Sequence, residues 1–273
     1  MTSPAKLTVL GTGNIGIAIA SGLARAGRYA AAEMILTRRD EKALAPLRDQ
    51  GFLVQSDNRD AVRRADTVVV AVQPQQLDGL LAEIAGELEP TRHSLISVVS
   101  GASIGAITEM VGKPVPIVRA MPNVAIAVRR SMTCLAASDR KTPALQVAQE
   151  IFDAVGTTLV IEEEQMVPAT ALCACGVAFF LRAVRAASQG GIEIGFHPEE
   201  ALAMSAQTAL GAATLMLEMG RHPEREIDTV TTPRGCTITG LNELEHQGFS
   251  SALIKGILTS AEKASRLYSH STK

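Results

Sequence analysis

The amino-acid sequence predicts an α/β fold in which a doubly wound sheet is followed by an all-helical region. Short β-rich runs alternate with helical runs over residues 1–162, a glycine-rich turn follows the first of them, and no alternating strand pattern appears afterwards. Strand–helix–strand alternation is typical of sheets that are covered by helices and joined by right-handed crossovers. The sequence therefore predicts two domains, residues 1–162 and residues 163–273.

The N-terminal region contains several short segments with β-strand character. The run Thr67–Val72 is almost wholly Val and Ala, which is the composition of a strand buried on both faces of a parallel sheet. Helices are expected at Asn14–Arg28, where apolar residues recur at helical spacing, and at Glu41–Gln50. The other predicted strands are Leu7–Leu10, Met34–Thr37, Leu95–Val99, Pro116–Ala120, Met132–Ala136 and Thr157–Ile161.

The C-terminal region shows only helical periodicity, from Glu163 to Tyr268. About five helices are expected, because the periodicity is interrupted at Gly190-Gly191, Gly195, His197-Pro198, His222-Pro223 and Thr232-Pro233. The run Val167–Leu181 is apolar on nearly every side, and such a helix needs burial on every face. A second copy of the chain would cover it, so we expect a homo-oligomer, at least a dimer.

Composition excludes several classes of protein. Of the 273 residues, 47% are hydrophobic and 20% are charged, which is enough apolar material for a sizeable core and excludes a disordered chain. The net charge is −2 and Trp is absent, so neither the basic excess nor the stacking aromatics of a nucleic-acid-binding protein are present. The partner expected is therefore a small-molecule substrate.

Targeting and metal-binding patterns are not found either. The longest apolar run is shorter than the ~20 residues that span a bilayer, and the N-terminus lacks a leader pattern, so no membrane association is expected. The four cysteines, Cys134, Cys173, Cys175 and Cys236, form no CxxC pair and have no His at metal-ligand spacing. We expect reduced thiols, no metal site and a cytoplasmic location.

The glycine-rich turn matches the pattern G-x-G-x-x-G between a strand and a helix. Gly11 permits the tight turn, Gly13 lets the backbone approach a diphosphate, and Gly16 lets the helix lie close to the strand. The free N–H groups at the start of the helix then hold the phosphates. The pattern favours a dinucleotide-binding domain of the Rossmann type. The predicted contacts are Gly11, Thr12, Gly13, Asn14, Ile15 and Gly16.

The end of the second predicted strand indicates which dinucleotide is bound. An acidic residue at this place binds the ribose 2′-hydroxyl of NAD, whereas Arg accommodates the 2′-phosphate of NADP. The chain has Thr37, Arg38 and Arg39 there, with Asp40 only afterwards. Two guanidinium groups and a hydroxyl suit a phosphate dianion, so NADPH is the expected cofactor, with NADH use left open. The alternative is a solvated arginine pair on a loop.

Three further motifs follow in order along the chain. They are Ala71-Val72-Gln73-Pro74-Gln75, Val118-Arg119-Ala120-Met121-Pro122-Asn123 and Thr231-Thr232-Pro233-Arg234-Gly235-Cys236-Thr237. Together with the glycine turn, over nearly the whole chain, they resemble pyrroline-5-carboxylate reductases, and Gly235–Gly248 is most similar to that family's signature. The resemblance implies reduction of 1-pyrroline-5-carboxylate to L-proline, an N-terminal Rossmann domain, and a C-terminal helical dimerisation domain that interlocks two subunits.

The resemblance also assigns site residues. The implied cofactor contacts beyond the glycine turn are Thr37, Arg38, Arg39, Asn58, Ala71, Val72, Gln73 and Pro74, with Ser100 and Asn123 at the nicotinamide end, and the implied substrate contacts are Gly235, Cys236 and Thr237. The chain departs from the family pattern at three places. The family usually has Lys at Gln73, a Ser-Gly-Ser-Gly-Pro-like segment at Cys173–Val177, and Pro-Gly-Gly at Pro233–Gly235.

Thr237 is the expected catalytic residue. Hydride transfer to a cyclic imine requires positioning of a protonated imine, and a hydroxyl accepts its ring N–H. The backbone N–H groups of Gly235 and Cys236, at a helix start, would hold the substrate carboxylate. The alternative interpretation makes Thr237 the N-cap of that helix. Arg234 either adds charge to this site or points to solvent or to the partner subunit.

Other functions stay open at this point. One is a reductase of another cyclic imine, and another is an enzyme like the β-hydroxyacid dehydrogenases. The latter place a Lys in the long interdomain helix, but residues 163–189 contain Arg182 and Arg185 and no Lys. A third alternative is a non-catalytic NADP-binding protein; Thr237 counts against it, whereas Arg234 and the altered cysteine segment favour it slightly.

Overall fold

The structure is a computed structural model that describes residues 6–268, apart from the side chain of residue 41. The described residues up to Cys175 and from Ser260 onward form one compact unit, and Gly176–Thr259 form a second. The predicted boundary between residues 162 and 163 falls inside the first unit, so the contact-based units and the predicted domains divide the chain differently.

The first unit is built on a sheet that, within residues 6–268, has eight strands in the order β3-β2-β1-β4-β5-β6-β7-β8. The strands are β1 Leu7–Leu10, β2 Met34–Thr37, β3 Leu53–Gln55, β4 Thr67–Val70, β5 Ser94–Ser97, β6 Ile117–Met121, β7 Ser131–Ala137 and β8 Gly156–Val160. Every neighbouring pair is parallel except β6 and β7. The predicted doubly wound sheet is confirmed, with strand ends that differ by two residues or fewer.

Two features of the sheet were not predicted. The strand β3 has only three residues and is half-buried at the sheet edge, so it carries too little apolar patterning to be recognised. The strand β7 runs antiparallel to β6 because only residues 122–130 connect them. A parallel pair needs a crossover of a dozen or more residues.

Helices cover both faces of the sheet. Alternate residues of β1 and β4 belong to different core clusters: Val9 and Val69 pack with Ile19 and Phe152, whereas Val70 packs with residues of the other cluster. Successive strand side chains point to opposite faces, so these clusters are the two layers of a three-layer α/β sandwich. The helices of this unit are α1 Asn14–Arg25, α2 Ala45–Asp49, α3 Asn58–Arg63, α4 Leu77–Ile84, α5 Ile104–Val111, α6 Pro143–Asp153 and α7 Met166–Ala169.

The two predicted N-terminal helices are shorter than expected. Helix α1 ends at Arg25 rather than Arg28, because Gly27 takes a left-handed conformation with φ = +69° just after it. The segment predicted as one helix, Glu41–Gln50, divides into a 3₁₀ turn at Glu41–Leu44 and the short helix α2. A Pro in the first turn of α2 has no N–H to donate and therefore suits a helix start.

The second unit is helical throughout its described length. Its helices are α8 Gly176–Glu193, α9 Pro198–Met219, α10 Pro223–Val230, α11 Cys236–His246 and α12 Phe249–Ala264, the last of which continues into the first unit. The predicted breaks at His197-Pro198, His222-Pro223 and Thr232-Pro233 are confirmed. The predicted break at Gly190-Gly191 is wrong, since α8 continues to Glu193.

Large apolar side chains are exposed along the second unit. They include Phe180, Leu181, Ile194, Leu210, Leu217, Val230, Ile254 and Leu258, and Leu217 is 86% exposed. In the part of the chain that the structure describes, one helical run, Glu163–Glu193, is long and apolar enough to cross a membrane, and 22% of its most apolar window is buried. Exposed apolar patches of this kind mark interaction surfaces.

Candidate active site

The glycine turn lies at the carboxyl end of β1, where the strand order reverses. Gly11 has φ = +90°, and a Cβ placed on it would lie 2.4 Å from Val72 Cγ1. A Cβ on Gly16 would lie 2.8 Å from the Gly11 carbonyl oxygen, so α1 could not pack as closely on the turn. A Cβ on Gly13 would meet nothing within 4 Å. The predicted roles of Gly11 and Gly16 in tight packing are confirmed, and Gly13 borders open space.

The carbonyl oxygen of Thr37 holds this turn in place. It accepts the N–H groups of Gly11 and Thr12 at 3.2 and 2.9 Å, and the Thr12 hydroxyl at 2.9 Å. Thr37 is the last residue of β2, so the register between β1 and β2 fixes the turn directly. Gly13 is the N-cap of α1 and offers no side-chain cap, so the first N–H groups of α1 have no intrahelical acceptor.

A cavity of about 670 Å³ opens next to the turn. It lies at the carboxyl ends of β1, β2 and β4, the place where open α/β sheets bind ligands. Its size is within the usual range for small-molecule sites. The cavity is lined by Gly11, Thr12, Gly13, Thr37, Arg38, Arg39, Asp40, Asn58, Ala71, Val72, Gln73, Gln75, Gln76, Gly79, Leu80 and Glu83.

The cationic side of the cavity is formed by Arg38 and Arg39. Both are exposed, and one Arg38 guanidinium nitrogen donates to the Thr12 carbonyl at 3.3 Å. Asp40, which follows them, accepts the backbone N–H of Lys42 at 3.1 Å and so caps the next turn of helix. Free N–H groups at the start of α1 together with two guanidinium groups fit a dinucleotide with an additional phosphate on its ribose.

A chain of side-chain hydrogen bonds crosses the cavity from β2 to α4. The Thr37 hydroxyl donates to Asn58 Oδ1 at 2.6 Å, and Asn58 Nδ2 donates to the two Glu83 carboxylate oxygens at 3.2 and 3.1 Å. Glu83 was missed by the sequence analysis, as were Gly79 and Leu80. The periodicity identifies the buried face of α4, but it does not show that Gly79 and Glu83, one turn apart, border a ligand cavity.

Several predicted cofactor contacts lie outside the lining of this cavity. They are Asn14, Ile15, Gly16, Pro74, Ser100 and Asn123. Pro74 starts a 3₁₀ turn, Ser100 is partly buried, and Gly16 serves packing as described above. Their contact with a cofactor stays a prediction.

Asn123 already has partners for both ends of its amide. Its Oδ1 accepts the Ala125 N–H at 3.0 Å, and its Nδ2 donates to the Cys173 carbonyl at 3.2 Å. The residue is 7% exposed. Asn123 therefore joins the end of β6 to the segment that holds the cysteines, a structural role that its sequence position did not indicate.

The thiols of Cys134 and Cys173 lie 4.0 Å apart. Hydrogen bonding between the two thiols lowers the pKa of Cys173 to about 7 and raises the pKa of Cys134. Cys173 is partly buried, and the sequence did not predict its contact with Cys134. The contact was missed because Cys134 comes from β7, and Cys173 from a π-helical turn at Thr170–Cys175.

Glu163 forms an ion pair that the sequence did not predict. Its Oε1 lies 3.1 Å from a guanidinium nitrogen of Arg119 and accepts the Ile104 N–H at 2.6 Å. Arg119 is 5% exposed, and its burial lowers the pKa of the guanidinium, although Glu163 opposes this shift. Glu163 thus supplies the counter-charge of a buried arginine.

The predicted substrate turn belongs to the second unit and precedes α11. The Gly235 N–H donates to the Thr232 carbonyl at 2.9 Å, and Arg234 has φ = +61°. With Pro233 before it, this arrangement has the features of a type II turn, whose third position favours glycine. A Cβ on Gly235 would lie 2.6 Å from Thr232 Oγ1, so the turn requires glycine there.

Two predictions about this turn are wrong. The N-cap of α11 is Gly235, not Thr237, which is the second residue of the helix. The Gly235 N–H is engaged within the turn, so it is not available to hold a carboxylate. The N–H groups of Cys236 and Thr237 have no intrahelical acceptor, and the partly buried Thr237 hydroxyl makes no hydrogen bond with the described residues.

Comparisons with known proteins show which family the chain is similar to. Residues 163–267 match the family model for pyrroline-5-carboxylate reductase dimerisation, and residues 6–101 match the model for coenzyme F420-dependent NADP oxidoreductases. A solved structure, a Plasmodium falciparum pyrroline carboxylate reductase with NADP bound, has a TM-score of 0.88 and 25% identity. That match covers 98% of this chain and 100% of the other.

Two curated relatives come from Dictyostelium discoideum. Pyrroline-5-carboxylate reductase 1 is 54% identical over 96% of this chain, which spans 50% of that relative's length. Pyrroline-5-carboxylate reductase 2 is 46% identical over 96% of this chain and 92% of the relative. The chain belongs to the pyrroline-5-carboxylate reductase family of NAD(P)H-dependent oxidoreductases, and it carries that family's dimerisation region.

Proposed function

We propose that this chain reduces 1-pyrroline-5-carboxylate to L-proline with NADPH. The observation that carries the proposal is the 670 Å³ cavity, which combines the glycine turn with Arg38 and Arg39, in a chain 46% identical to a reductase of this name over 92% of its length. The reaction adds a hydride to the carbon of the ring C=N bond and leaves a proton on the ring nitrogen. When bound, the nicotinamide supplies the hydride.

The chain supplies binding and orientation on the cofactor side. The N–H groups at the start of α1 receive the diphosphate, and the backbone carbonyl of Thr37 keeps the turn in the shape that exposes them. Arg38 and Arg39 hold the 2′-phosphate as charge-assisted donors. Gln73 borders the same cavity and contributes an uncharged amide where the family usually has a Lys.

On the substrate side, α11 supplies the remaining groups. Thr237 accepts the N–H of the protonated imine through its hydroxyl oxygen, and the N–H groups of Cys236 and Thr237 hold the substrate carboxylate. This assignment replaces the predicted contribution of the Gly235 N–H. Arg234 is exposed, and its guanidinium is not needed for this arrangement.

The proposed assembly is a homodimer formed through the second unit. Phe180, Leu181 and Leu217 are all more than half exposed in the isolated chain, and the matched family model is one of dimerisation. Burial of such side chains is the main favourable term in subunit association. A cytoplasmic location and the absence of membrane and nucleic-acid partners stay predictions from the sequence.

The test is an assay of the purified chain with NADPH and 1-pyrroline-5-carboxylate, followed by the absorbance of the reduced nicotinamide. We expect consumption of NADPH that depends on the imine, and formation of proline in equal amount. A piperideine carboxylate serves as the comparison substrate. Faster turnover of that six-membered imine, or no turnover by protein that binds NADPH, contradicts the proposal.

Cofactor preference is measured separately by titration. NADPH is expected to bind more tightly than NADH, because Arg38 and Arg39 attract a phosphate that NADH lacks. Equal affinity for both dinucleotides contradicts the assignment of these two residues.

A further inference from the structure

We propose that Glu83 is a specificity-determining residue of the dinucleotide site, which limits the preference for a phosphorylated ribose. The inference rests on the proposed function, because it takes the cavity beside the glycine turn to be the NADPH site. Neither the sequence motifs nor the family resemblance assigned a role to Glu83. Its position in the cavity and its hydrogen bonds are the grounds for the proposal.

The first ground is the charge of the cavity. Its lining contains two guanidinium groups, Arg38 and Arg39, and two carboxylates, Asp40 and Glu83. The sequence showed the arginines next to Asp40, whereas Glu83 joins them only in the folded chain. Glu83 forms no ion pair with a described Lys or Arg side chain, and the neighbouring Arg59 guanidinium donates to its backbone carbonyl at 3.0 Å rather than to its carboxylate. A carboxylate in the same cavity opposes the binding of a phosphate dianion.

The second ground is the direction of the hydrogen bonds. A carboxylate is an acceptor only, so Glu83 requires the NH₂ group of Asn58 to face it. Asn58 Oδ1 must then face Thr37, and the single proton of the Thr37 hydroxyl is donated to it at 2.6 Å. Thr37 therefore has no proton left for a phosphate oxygen, and its buried hydroxyl acts by fixing the orientation of Asn58.

These two effects act in the same direction. A carboxylate recognises O–H and N–H donors, such as those of an unmodified ribose or of the adenine amino group. It does not recognise a phosphate dianion, which is itself an acceptor, and no Thr37 proton is left to compensate. Arg38 and Arg39 favour the phosphate and Glu83 opposes it, so the chain is expected to keep measurable affinity for the cofactor without the phosphate.

The test uses fragments that differ at this phosphate: adenosine 2′,5′-bisphosphate and adenosine 5′-monophosphate. Their dissociation constants are measured by calorimetry on the full chain, with Glu83→Gln as the variant. Gln keeps an acceptor for Asn58 but has no charge. We expect Glu83→Gln to bind the bisphosphate about three- to tenfold more tightly, with less than about a twofold change for the monophosphate, the size of effect expected of one charge in a partly solvated site.

The matched control is Glu109→Gln. Glu109 is an exposed carboxylate on α5 that does not line the cavity, and its substitution makes the same change in net charge. Glu109→Gln is expected to change each dissociation constant by less than about a fifth of the change that Glu83→Gln causes. An equal gain in both variants would show that only the overall charge matters, and this would contradict the proposal.

A purely structural role for Glu83 predicts a different outcome. If Glu83 only keeps the cavity in shape, its loss weakens both fragments together, and that result overturns the proposal. Glu83→Ala, which removes the acceptor as well as the charge, is expected to bind both fragments less tightly than Glu83→Gln does. Equal binding by these two variants contradicts the hydrogen-bond part of the inference.

The result also separates this inference from the proposed function. Because the fragments are not substrates, their binding is measured whether or not the imine is reduced. If the wild-type chain binds them and does not reduce the imine, the substrate assignment fails while the role of Glu83 is still decided by the variants. If it binds neither fragment, both proposals fail.

Discussion

Arg234 takes a backbone conformation that L-residues rarely adopt, with φ = +61° in the turn before α11. The family pattern has glycine at this position, and a residue with a Cβ costs about 1–2 kcal/mol in the left-handed region. The sequence identifies the arginine as a departure from the family pattern, but it does not show the backbone strain. The strain was not predictable from composition, because it depends on the turn that Pro233 and the Gly235 N–H close.

We expect Arg234→Gly to raise the free energy of unfolding by about 0.5–1 kcal/mol, since the relief of strain exceeds the added entropy of the unfolded chain. The measurement is urea unfolding at the same protein concentration for each variant, which keeps the contribution of association constant. Arg234→Ala keeps the strained φ and should not stabilise the chain. If Ala stabilises as much as Gly does, the side chain rather than the backbone is responsible.

Thr237 is the residue that the proposed chemistry depends on most. Loss of a hydrogen bond to a charged group costs about 1.5–3 kcal/mol, so Thr237→Ala is expected to lower kcat by about ten- to a hundredfold. Thr237→Ser keeps the hydroxyl and should retain most of the activity. The circular dichroism and unfolding midpoint should not change, because the hydroxyl makes no hydrogen bond with the described residues.

The control for this variant is Thr229→Ala. The Thr229 hydroxyl bonds only to the Glu226 carbonyl of its own helix, α10, at 2.6 Å. Removal of this hydroxyl should leave kcat unchanged. Equal kcat in wild type and Thr237→Ala would remove Thr237 from the mechanism.

At the scale of elements, regular apolar patterning predicted seven of the eight described strands and the start of α1, and the His-Pro pairs predicted the starts of α9 and α10. The strands β1, β2 and β4 are buried along their whole length and read directly as apolar runs. The prediction failed at positions where contacts between elements determine whether a helix continues. At Gly191, a Cβ would lie 3.0 Å from the Ala201 Cβ, so glycine here serves the close packing of α8 and α9 rather than a helix end. Local propensity could not show this.

The sequence likewise predicted part of the lining of the candidate site but not all of it. Gly11–Gly13, Thr37–Arg39 and Ala71–Gln73 line the cavity, because strand ends in a parallel sheet meet at one edge. Glu83 and the Cys134–Cys173 contact come from elements that are distant in sequence from their partners. Such pairings depend on packing, which a single sequence does not reveal.

The ion pair of Arg119 and Glu163 joins β6 to the start of the helical run. Loss of one member leaves a buried, unpaired charge, so Glu163→Ala is expected to lower the free energy of unfolding by about 2–4 kcal/mol. Chemical denaturation is the measurement. The neighbouring Glu164 is exposed, and Glu164→Ala should change stability by less than about 0.5 kcal/mol. Equal effects in both variants would contradict the role of Glu163.

At the scale of the whole molecule, the exposed apolar residues of the second unit determine the assembly. We expect light scattering to give a mass at least twice the 28.7 kDa of one chain. A double variant, Phe180→Glu with Leu217→Glu, introduces charges into this surface and should shift the protein towards monomers or aggregates. Val128→Glu, at a residue 68% exposed in the first unit, should leave the mass unchanged. A stable wild-type monomer contradicts the proposed dimer.

The three hydrogen bonds that the Thr37 carbonyl accepts have a consequence for the kinetics of recognition. These bonds fix the loop that we propose as the diphosphate site before any ligand is bound, so little conformational entropy is expected to be lost there on binding. The backbone N–H groups already point towards one position before the dinucleotide arrives. Its association rate constant is therefore expected to depend on diffusion and on the charges around the cavity opening, rather than on closure of a flexible segment.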